Sequence, residues 1–268
     1  NLTVQAAIKE INNITENNVN SIADAAAKGS LMGARGNSGV ILSQLYRGFA
    51  KGITDPYQLS PRIVAEALKS AADTAYKAVM KPTEGTILTV ARETAEKALE
   101  ICDKSEDMVL FLEAVIKEAK NSLDRTPDLL PVLKQAEVVD AGGKGLLCLL
   151  EGAVAALKGV EIKREQNADD FVETEQEVSA FGSEDEIVFA YCTEFMIKNA
   201  KKTHEQFLPI ILDKGDSIVC VGADDIIKVH IHTNNPGLVL SKAVTFGEII
   251  NIKIDNMKEQ FRTRKKST

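Results

Sequence analysis

The sequence has 268 residues, of which 44% are hydrophobic and 26% charged, and its formal net charge is −7. This length suits two domains of ordinary size, and the acidic balance argues against nucleic acid or an anionic membrane surface as the main partner. No apolar run reaches the roughly 18 residues that a membrane span needs, and the four cysteines show no CxxC spacing. We therefore expect a cytoplasmic protein with free thiols, no nucleic-acid partner and no integral membrane segment.

Helical spacing of apolar residues runs through residues 1–159. Capping residues, and prolines at helix starts, divide this region into eight predicted helices. They span residues 2–11, 19–27, 38–49, 60–80, 86–102, 105–119, 126–133 and 146–157. Alanine is frequent on their inward faces and tryptophan is absent, which favours close helix packing. We predict an all-α helical barrel or bundle for this first domain.

The pattern changes after residue 159. Residues 160–182 are rich in charged side chains and have few apolar anchors, which predicts a linker. Residues 183–268 then show strands at 187–192, 217–221, 226–232 and 249–254, with helices at 205–212 and 235–243. This βαββαβ order predicts a smaller α+β domain of the ferredoxin-like type. We expect its first and third strands to be parallel neighbours.

Three glycine-bearing turns in the helical domain could bind an anion. They lie at residues 29–39, 81–86 and 140–145. Glycine lets the backbone approach a ligand closely, and N–H groups at the start of a helix favour a phosphate. We expect Asn37 and Ser38 to cap the helix after the first turn. Each turn alone is more simply a helix cap, but at one shared end of the bundle the three would form a nucleotide pocket.

A second group of chemistry-bearing residues lies on the predicted strands. His230 and His232 are two apart, so their side chains share one face of a strand, as do those of Cys192 and Glu194. Two imidazoles, one thiolate and Glu194 or water as a fourth ligand would form a zinc site. The alternative is that the His-x-His pair is structural or lies on the surface.

These motifs carry a family resemblance. Residues 29–44, 81–90 and 139–145 closely resemble the ATP-binding subunit of bacterial fatty acid kinase, and residues 191–195 and 228–233 resemble its middle domain. The first domain of that subunit is similar to the L subunit of dihydroxyacetone kinase, an all-α barrel that holds ADP and Mg²⁺ at one end. The resemblance covers essentially the whole chain.

The resemblance implies a set of nucleotide-binding residues and a metal site. Those in the phosphate turn are Gly36, Asn37, Ser38 and Gly39, and those elsewhere in the pocket are Thr86, Ile87, Asp140, Ala141 and Gly142. It also implies a metal site at Cys192, His230 and His232. In the family, Mg²⁺ is held by aspartates of a loop just upstream of the segment that matches Asn1. We therefore expect no catalytic residue in this chain and no turnover by the chain alone, although its parent protein should be active.

The function implied by the resemblance is ATP-dependent phosphorylation of a fatty acid carboxylate. The acceptor would be presented by a separate fatty-acid-binding protein, the product would be an acyl phosphate, and the kinase subunit is expected to be a homodimer. Two alternatives stay open. One is a kinase that acts on a small hydroxyl acceptor such as dihydroxyacetone, and the other is a non-catalytic module that binds nucleotide and zinc.

Overall fold

The computed structural model describes residues 1–16, 18–160 and 184–267. They form two compact units. Among the described residues, the first unit comprises 1–77 and 82–160, and the second comprises 78–81 and 184–267. The linker predicted at residues 160–182 lies outside the described residues apart from its first residue, so it stays a prediction. No helix in the described part of the chain is long and apolar enough to cross a membrane.

The described residues of the first unit form helices joined by short connections, as predicted. The helices are α1 (Leu2–Ile11), α2 (Val19–Gly33), α3 (Gly36–Gly52), α4 (Pro61–Ala78), α5 (Ile87–Ile101), α6 (Met108–Asp124), α7 (Thr126–Leu129), α8 (Pro131–Gln135) and α9 (Ala141–Leu157). Their starts follow from local capping. The carboxylate of Asp107, for example, accepts hydrogen bonds from the N–H groups of Val109 and Leu110 at the start of α6.

Two apolar clusters hold the middle of this unit together. In one, Val64 of α4 and Ala98 of α5 pack with Phe111 of α6. In the other, Val90 of α5 packs with Leu147 of α9. Small alanine side chains on the inward faces let the helices approach closely, as the composition suggested. Helices α5 and α9 therefore pack together through the second cluster.

The glycine-bearing turn predicted at residues 29–39 is much shorter than expected. Helix α2 continues to Gly33 and α3 begins at Gly36, so only two residues separate the helices. A Cβ on Gly33 would overlap the Cβ of Ala6, and a Cβ on Gly29 would lie 2.5 Å from the Ala6 carbonyl oxygen. These glycines therefore serve the close packing of α2 on α1.

The predicted capping role of Asn37 and Ser38 is wrong. Arg35 occupies the N-cap position of α3, and both residues lie in the first helical turn. The chain enters the helix through Gly36, whose φ of 59° lies in the left-handed region that favours glycine. The two polar side chains are thus placed on the helix start itself.

Helix α9 starts earlier than predicted, at Ala141 instead of residue 146. Asp140 is its N-cap, and the side-chain oxygen Oδ2 accepts a hydrogen bond of 2.6 Å from the N–H of Gly143. This cap outweighs the low helix propensity of the two glycines that follow. Gly142 and Gly143 therefore belong to the first turn of the helix.

The second unit contains a four-stranded sheet with helices. In chain order its elements are a 3₁₀ turn at Glu184–Glu186, β1 (Tyr191–Lys198), α10 (His204–Ile211), β2 (Gly215–Ala223), β3 (Ile226–Thr233), α11 (Pro236–Ala243), β4 (Glu248–Asn256) and α12 (Met257–Ser267). The strand order is β2-β3-β1-β4. From β1 to β4 the elements follow the predicted βαββαβ sequence, and the chain then adds α12.

Two details of the predicted sheet are wrong. β1 begins at Tyr191 instead of residue 187, because Ile187 leaves the sheet and packs beside Cys192 and Met257. β1 and β3 are neighbours but antiparallel. Strand β3 returns from β2 through a hairpin turn and inserts between β2 and β1, and it therefore runs opposite to both.

The two faces of the sheet differ in chemistry. On one face, Phe195 and Val229 pack with Phe207 of α10 and Val239 of α11 in the main apolar core of the unit. Because side chains alternate along a strand, the residues between them point to the opposite face. That face carries polar and sulfur-containing side chains at the centre of the sheet.

Candidate functional site

The first candidate site lies at the centre of the sheet in the second unit. Strands β1 and β3 pair so that Cys192 is opposite His232 and Glu194 is opposite His230. All four side chains are buried: the exposed fraction is 0% for His230, 3% for Glu194 and 7% for each of the other two. The antiparallel register therefore brings together the residues that were predicted to form a metal site.

The donor atoms are close enough to share one metal ion. The Nε2 atoms of His230 and His232 are 3.3 Å apart, and the Cys192 Sγ lies 4.0 Å from Nδ1 of His230. One donor atom from each of the three residues lies within 4.8 Å of the others. Tetrahedral zinc with Zn–N bonds of about 2.0–2.1 Å separates two nitrogen ligands by about 3.3 Å. The spacing of the two Nε2 atoms thus fits zinc closely, and the Cys192 thiol, beside the same His230 ring, is the third candidate ligand.

Each imidazole has a carboxylate near its Nδ1 atom. Oε1 of Glu194 is 3.0 Å from Nδ1 of His230, and Oδ1 of Asp216 is 3.5 Å from Nδ1 of His232. In both rings this leaves Nε2 directed at the other histidine. Carboxylates in this position orient a ligating imidazole and raise its basicity. The position of Glu194 favours this supporting role over the role of fourth ligand predicted from the sequence.

Asp216 was missed in the sequence, although a signal for it exists. Asp224 and Asp225 form a two-residue turn between β2 and β3, as a paired-aspartate hairpin should. Counting back from this turn puts Ser217 opposite His232. A bulge, in which Ser217 adopts a φ of 50°, shifts that partner to Asp216. The bulge could not be predicted from the sequence. The hairpin register, which places this part of β2 near His232, could be predicted.

The second candidate site lies in the first unit, where α5 and α9 begin. Thr86 is the N-cap of α5, and its Oγ1 accepts a hydrogen bond from the N–H of Leu88. A Cβ on Gly142 would lie 3.2 Å from the Cβ of Ile87, so the two turns are in contact. The structure therefore brings together Thr86, Ile87 and the turn that contains Asp140, Ala141 and Gly142.

The Asp140 carboxylate is the electrostatic centre of this contact. Burial raises its pKa, while hydrogen bonds from the N–H groups of Gly143, Ile87 and Gly142 act in the opposite direction. The hydrogen bond of this side chain is with Gly143 of α9, and the start of α5 lies close enough to act on its pKa. The carboxylate thus lies near two helix N-termini, whose partial positive charges favour it.

The start of α3 has other neighbours. A Cβ on Gly39 would lie 2.9 Å from Oγ1 of Thr3 and 3.4 Å from Ala34, so this glycine is required by the packing of α3 beside α1. Ser38 is exposed, whereas Asn37 and Gly36 are half-buried. The meeting of this turn with the two turns around Asp140 stays a prediction.

A polar network that sequence reasoning missed supports the turn before α5. Oε2 of Glu84 accepts hydrogen bonds from Thr89 at 2.7 Å and from Arg92 at 3.0 Å, and Oε1 accepts one from Tyr76 at 3.0 Å. The hydroxyl of Thr89 also accepts the N–H of Gly85 at 2.8 Å. These bonds lower the pKa of Glu84, with that from Thr89 the largest cause. The network depends on α4 approaching α5 and has no local sequence signal.

Comparison with known proteins assigns each unit to a family. Residues 1–155 match the DAK2 domain, which covers more than half of the chain, so the chain belongs to the DAK2 domain family. Residues 188–264 match the FakA-like middle domain of the fatty acid kinase proteins. The two domains in this order identify the chain as part of a kinase-related protein of the FakA-like type, and they confirm the resemblance seen in the sequence.

Similar curated proteins come from Staphylococcus aureus. Proteins of strains USA300, NCTC 8325 / PS 47 and COL, each described as uncharacterized, are 44% identical to this chain over 269 residues. The alignments cover 98% of this chain and 49% of each relative. The chain therefore spans about half the length of the curated relatives it matches.

Proposed function

We propose that the chain is the nucleotide-binding part of an ATP-dependent phosphotransferase that acts on a fatty acid carboxylate. In the proposed reaction a carboxylate oxygen attacks the γ-phosphorus, the bond to the β,γ-bridging oxygen breaks, and ADP and an acyl phosphate are formed. The acceptor is held by a separate fatty-acid-binding protein, and the kinase is a homodimer in the cytoplasm. The observation that supports this proposal is the convergence of α5 and α9 on Asp140 within the DAK2 domain.

The charges of the turns allow the phosphates and the nucleoside to be assigned to different turns. The Asp140 carboxylate accepts the N–H of Gly143, and in its ionised form it repels phosphate and suits donors such as ribose hydroxyls or the adenine amino group. The start of α3 carries no acidic residue in its first turn and has Ser38 exposed on it. We assign the phosphates to residues 36–39 and the nucleoside to Thr86, Ile87 and residues 140–142.

Magnesium does not fit the described residues of the first unit. Mg²⁺ requires several hard oxygen ligands in octahedral geometry. The carboxylate of Asp140 is engaged by the backbone N–H of Gly143. Among described residues, the grouping of three or more side chains suited to a metal ion is Cys192, His230 and His232, and it lies in the second unit. No step of the proposal is assigned to a magnesium ion held by this chain.

For the second unit we propose one zinc ion bound by Cys192, His230 and His232. Glu194 and Asp216 would orient the two imidazoles. Bound zinc would supply a Lewis acid with an open position for water or a substrate oxygen. The residues of the chain hold the two rings in place and exclude solvent, since all three ligands are buried.

The proposed activity is tested with the full-length protein that contains this chain. It is incubated with ATP and either a fatty-acid-loaded binding protein or free dihydroxyacetone. Hydroxylamine then traps any acyl phosphate as a hydroxamate, which mass spectrometry detects. We expect hydroxamate and ADP only with the loaded binding protein. ADP formation only with dihydroxyacetone would assign the protein to the small-hydroxyl kinases, and nucleotide binding without transfer to either acceptor would reduce it to a binding module.

A further inference from the structure

Thr126, the first residue of α7, lies between the two turns of the candidate nucleotide site. Its side chain is fully buried. The hydroxyl accepts a hydrogen bond of 3.1 Å from the N–H of Asp140 and donates one of 2.7 Å to the carbonyl of Leu123. Thr126 therefore fixes the backbone position of the residue that caps α9.

The backbone of the same residue contacts the other turn. Gly85 has a φ of 79°, and a Cβ there would lie 2.9 Å from the Thr126 carbonyl oxygen. That oxygen also accepts the N–H of Leu130 at 3.0 Å, so α7 itself holds it in place. The turn that leads into Thr86 thus rests directly on Thr126.

These contacts link Thr126 and the two turns in a closed ring. It runs from Thr126 to Asp140 through a hydrogen bond, from Gly142 at the start of α9 to Ile87 through a packing contact, and back along the chain to Gly85 and Thr126. We propose that Thr126 is a positioning residue that sets the spacing of the α5 and α9 starts for nucleotide binding. This inference rests on the proposed function, because it assigns a role within the same nucleotide site.

The chemistry of the hydroxyl makes the proposal specific. Valine has nearly the shape of threonine but cannot accept a hydrogen bond, so Thr126→Val would leave the half-buried N–H of Asp140 without this acceptor. The turn must then shift to find another partner, and the carboxylate moves relative to Ile87. Because a lost hydrogen bond in a preorganised site weakens binding, we expect the dissociation constant for ADP to rise about five- to tenfold.

A matched control exists in α5. Thr94 is also buried, and its hydroxyl donates 2.6 Å to the carbonyl of Val90 within its own helix. Thr94→Val therefore removes the same kind of helix back-bond without touching either turn. Thr126→Ser keeps the hydroxyl and should restore the contact with Asp140.

The experiment compares four full-length proteins: unaltered, Thr126→Val, Thr126→Ser and Thr94→Val. Fluorescence anisotropy of a labelled ADP gives Kd, thermal unfolding gives stability, and hydrogen exchange of peptides covering residues 85–88 and 140–143 reports on the turns. We expect weaker ADP binding and faster exchange in both peptides for Thr126→Val alone. Thr94→Val should lower stability without changing Kd.

The outcomes test the proposed nucleotide binding and the positioning role of Thr126 separately. If the unaltered protein does not bind ADP, the proposed function fails, and the positioning role fails with it. If the unaltered protein binds ADP but Thr126→Val does so equally well, only the positioning role is wrong. The role is also wrong if Thr94→Val weakens binding as much, or if Thr126→Ser does not recover it, because either result indicates a general loss of stability.

Discussion

His230 and His232 direct their Nε2 atoms at each other across 3.3 Å, although the residues are two apart on the same strand. Their ring centroids are 5.1 Å apart and the ring planes are tilted by 59°. Two buried imidazoles in this arrangement present both lone pairs to one point if each Nδ1 carries the proton. The partners of the Nδ1 atoms, Glu194 and Asp216, favour that tautomer.

The metal site leads to the first prediction. The purified protein should contain about one zinc per chain, and His230→Ala combined with His232→Ala should abolish it, because only the Cys192 thiolate remains. Elemental analysis by mass spectrometry measures the content. His204→Ala is the matched control, since His204 is the third of the three histidines and lies on α10. A metal-free unaltered protein, or equal loss with His204→Ala, would contradict the assignment.

The second prediction distinguishes the two roles of Glu194. If it supports His230, Glu194→Ala should weaken zinc affinity about ten- to a hundredfold, whereas Glu194→Gln should retain much of it because the amide oxygen still accepts from Nδ1. Competition with a chromophoric chelator gives the affinities. X-ray absorption gives the number of ligands. Loss of one oxygen ligand from the zinc in Glu194→Ala would instead make Glu194 the fourth ligand.

The third prediction concerns the start of α3. Ser38→Tyr should abolish ADP binding, because a bulky side chain on the first helical turn covers the N–H groups assigned to the phosphates. The fold should be kept, since Ser38 is exposed. Lys51→Tyr, at the other end of the same helix and also exposed, is the control. Calorimetric titration with ADP measures both, and unchanged affinity in Ser38→Tyr would remove this turn from the site.

The fourth prediction follows from the lowered pKa of Glu84. The folded-state pKa lies below the unfolded value of 4.5, so the ionised carboxylate adds stability that is fully present above that value. This stability is lost as the pH falls through the folded-state pKa. Glu84→Gln should therefore lower the free energy of unfolding at pH 7 by about 1 kcal/mol or less, since nearly half of the side chain is exposed and solvent screens its charge.

Urea unfolding followed by circular dichroism at several pH values measures this effect. The difference between unaltered protein and Glu84→Gln should shrink towards low pH. Glu100→Gln is the control, because Glu100 pairs with lysines on the open surface and should change stability less. A pH-independent difference would show that the charge of Glu84 is not its source.

The fifth prediction compares two glycines in helices. Gly33→Ala should destabilise the protein by about 1–3 kcal/mol, because the new methyl group overlaps Ala6 where α2 packs on α1. Gly152→Ala should stabilise it by about 0.5–1 kcal/mol, since Gly152 lies inside α9 and no described residue beyond its own stretch of helix lies within 4 Å of a Cβ placed there. Thermal unfolding of both variants is the measurement. If both substitutions stabilised the protein, or both destabilised it, the packing explanation would be wrong.

The sequence predicted most accurately what local signals determine. Helix α5 was expected at 86–102 and is found at Ile87–Ile101, because Thr86 is a clear cap. The start of α9 was missed because two glycines looked like a turn, although Asp140 caps them into a helix. The extent of β1 depends on which residues pair with β3, and an unbroken apolar run does not reveal that register.

Some residues of the candidate sites have a local sequence signal, and others depend on how distant elements pack. The candidate metal ligands Cys192, His230 and His232 could be found because alternation along a strand fixes which side chains share a face. Thr126 could be predicted to start a helix, but its bond to Asp140 spans 14 residues and depends on how α7 meets α9. Glu84 is similar, because its partner Tyr76 comes from another helix.

The pairing of β1 with β3 also matters for the unfolded chain. Cys192 and His230 are 38 residues apart in sequence but adjacent on the two central strands. A metal ion bound to both would hold the ends of that segment together in the folded sheet, and because the site is absent from the unfolded chain its binding free energy would add to the free energy of folding. The ion would thereby couple the hairpin of β2 and β3 to the start of the sheet, so the second unit should unfold as one body when metal is bound and in separate parts when it is removed.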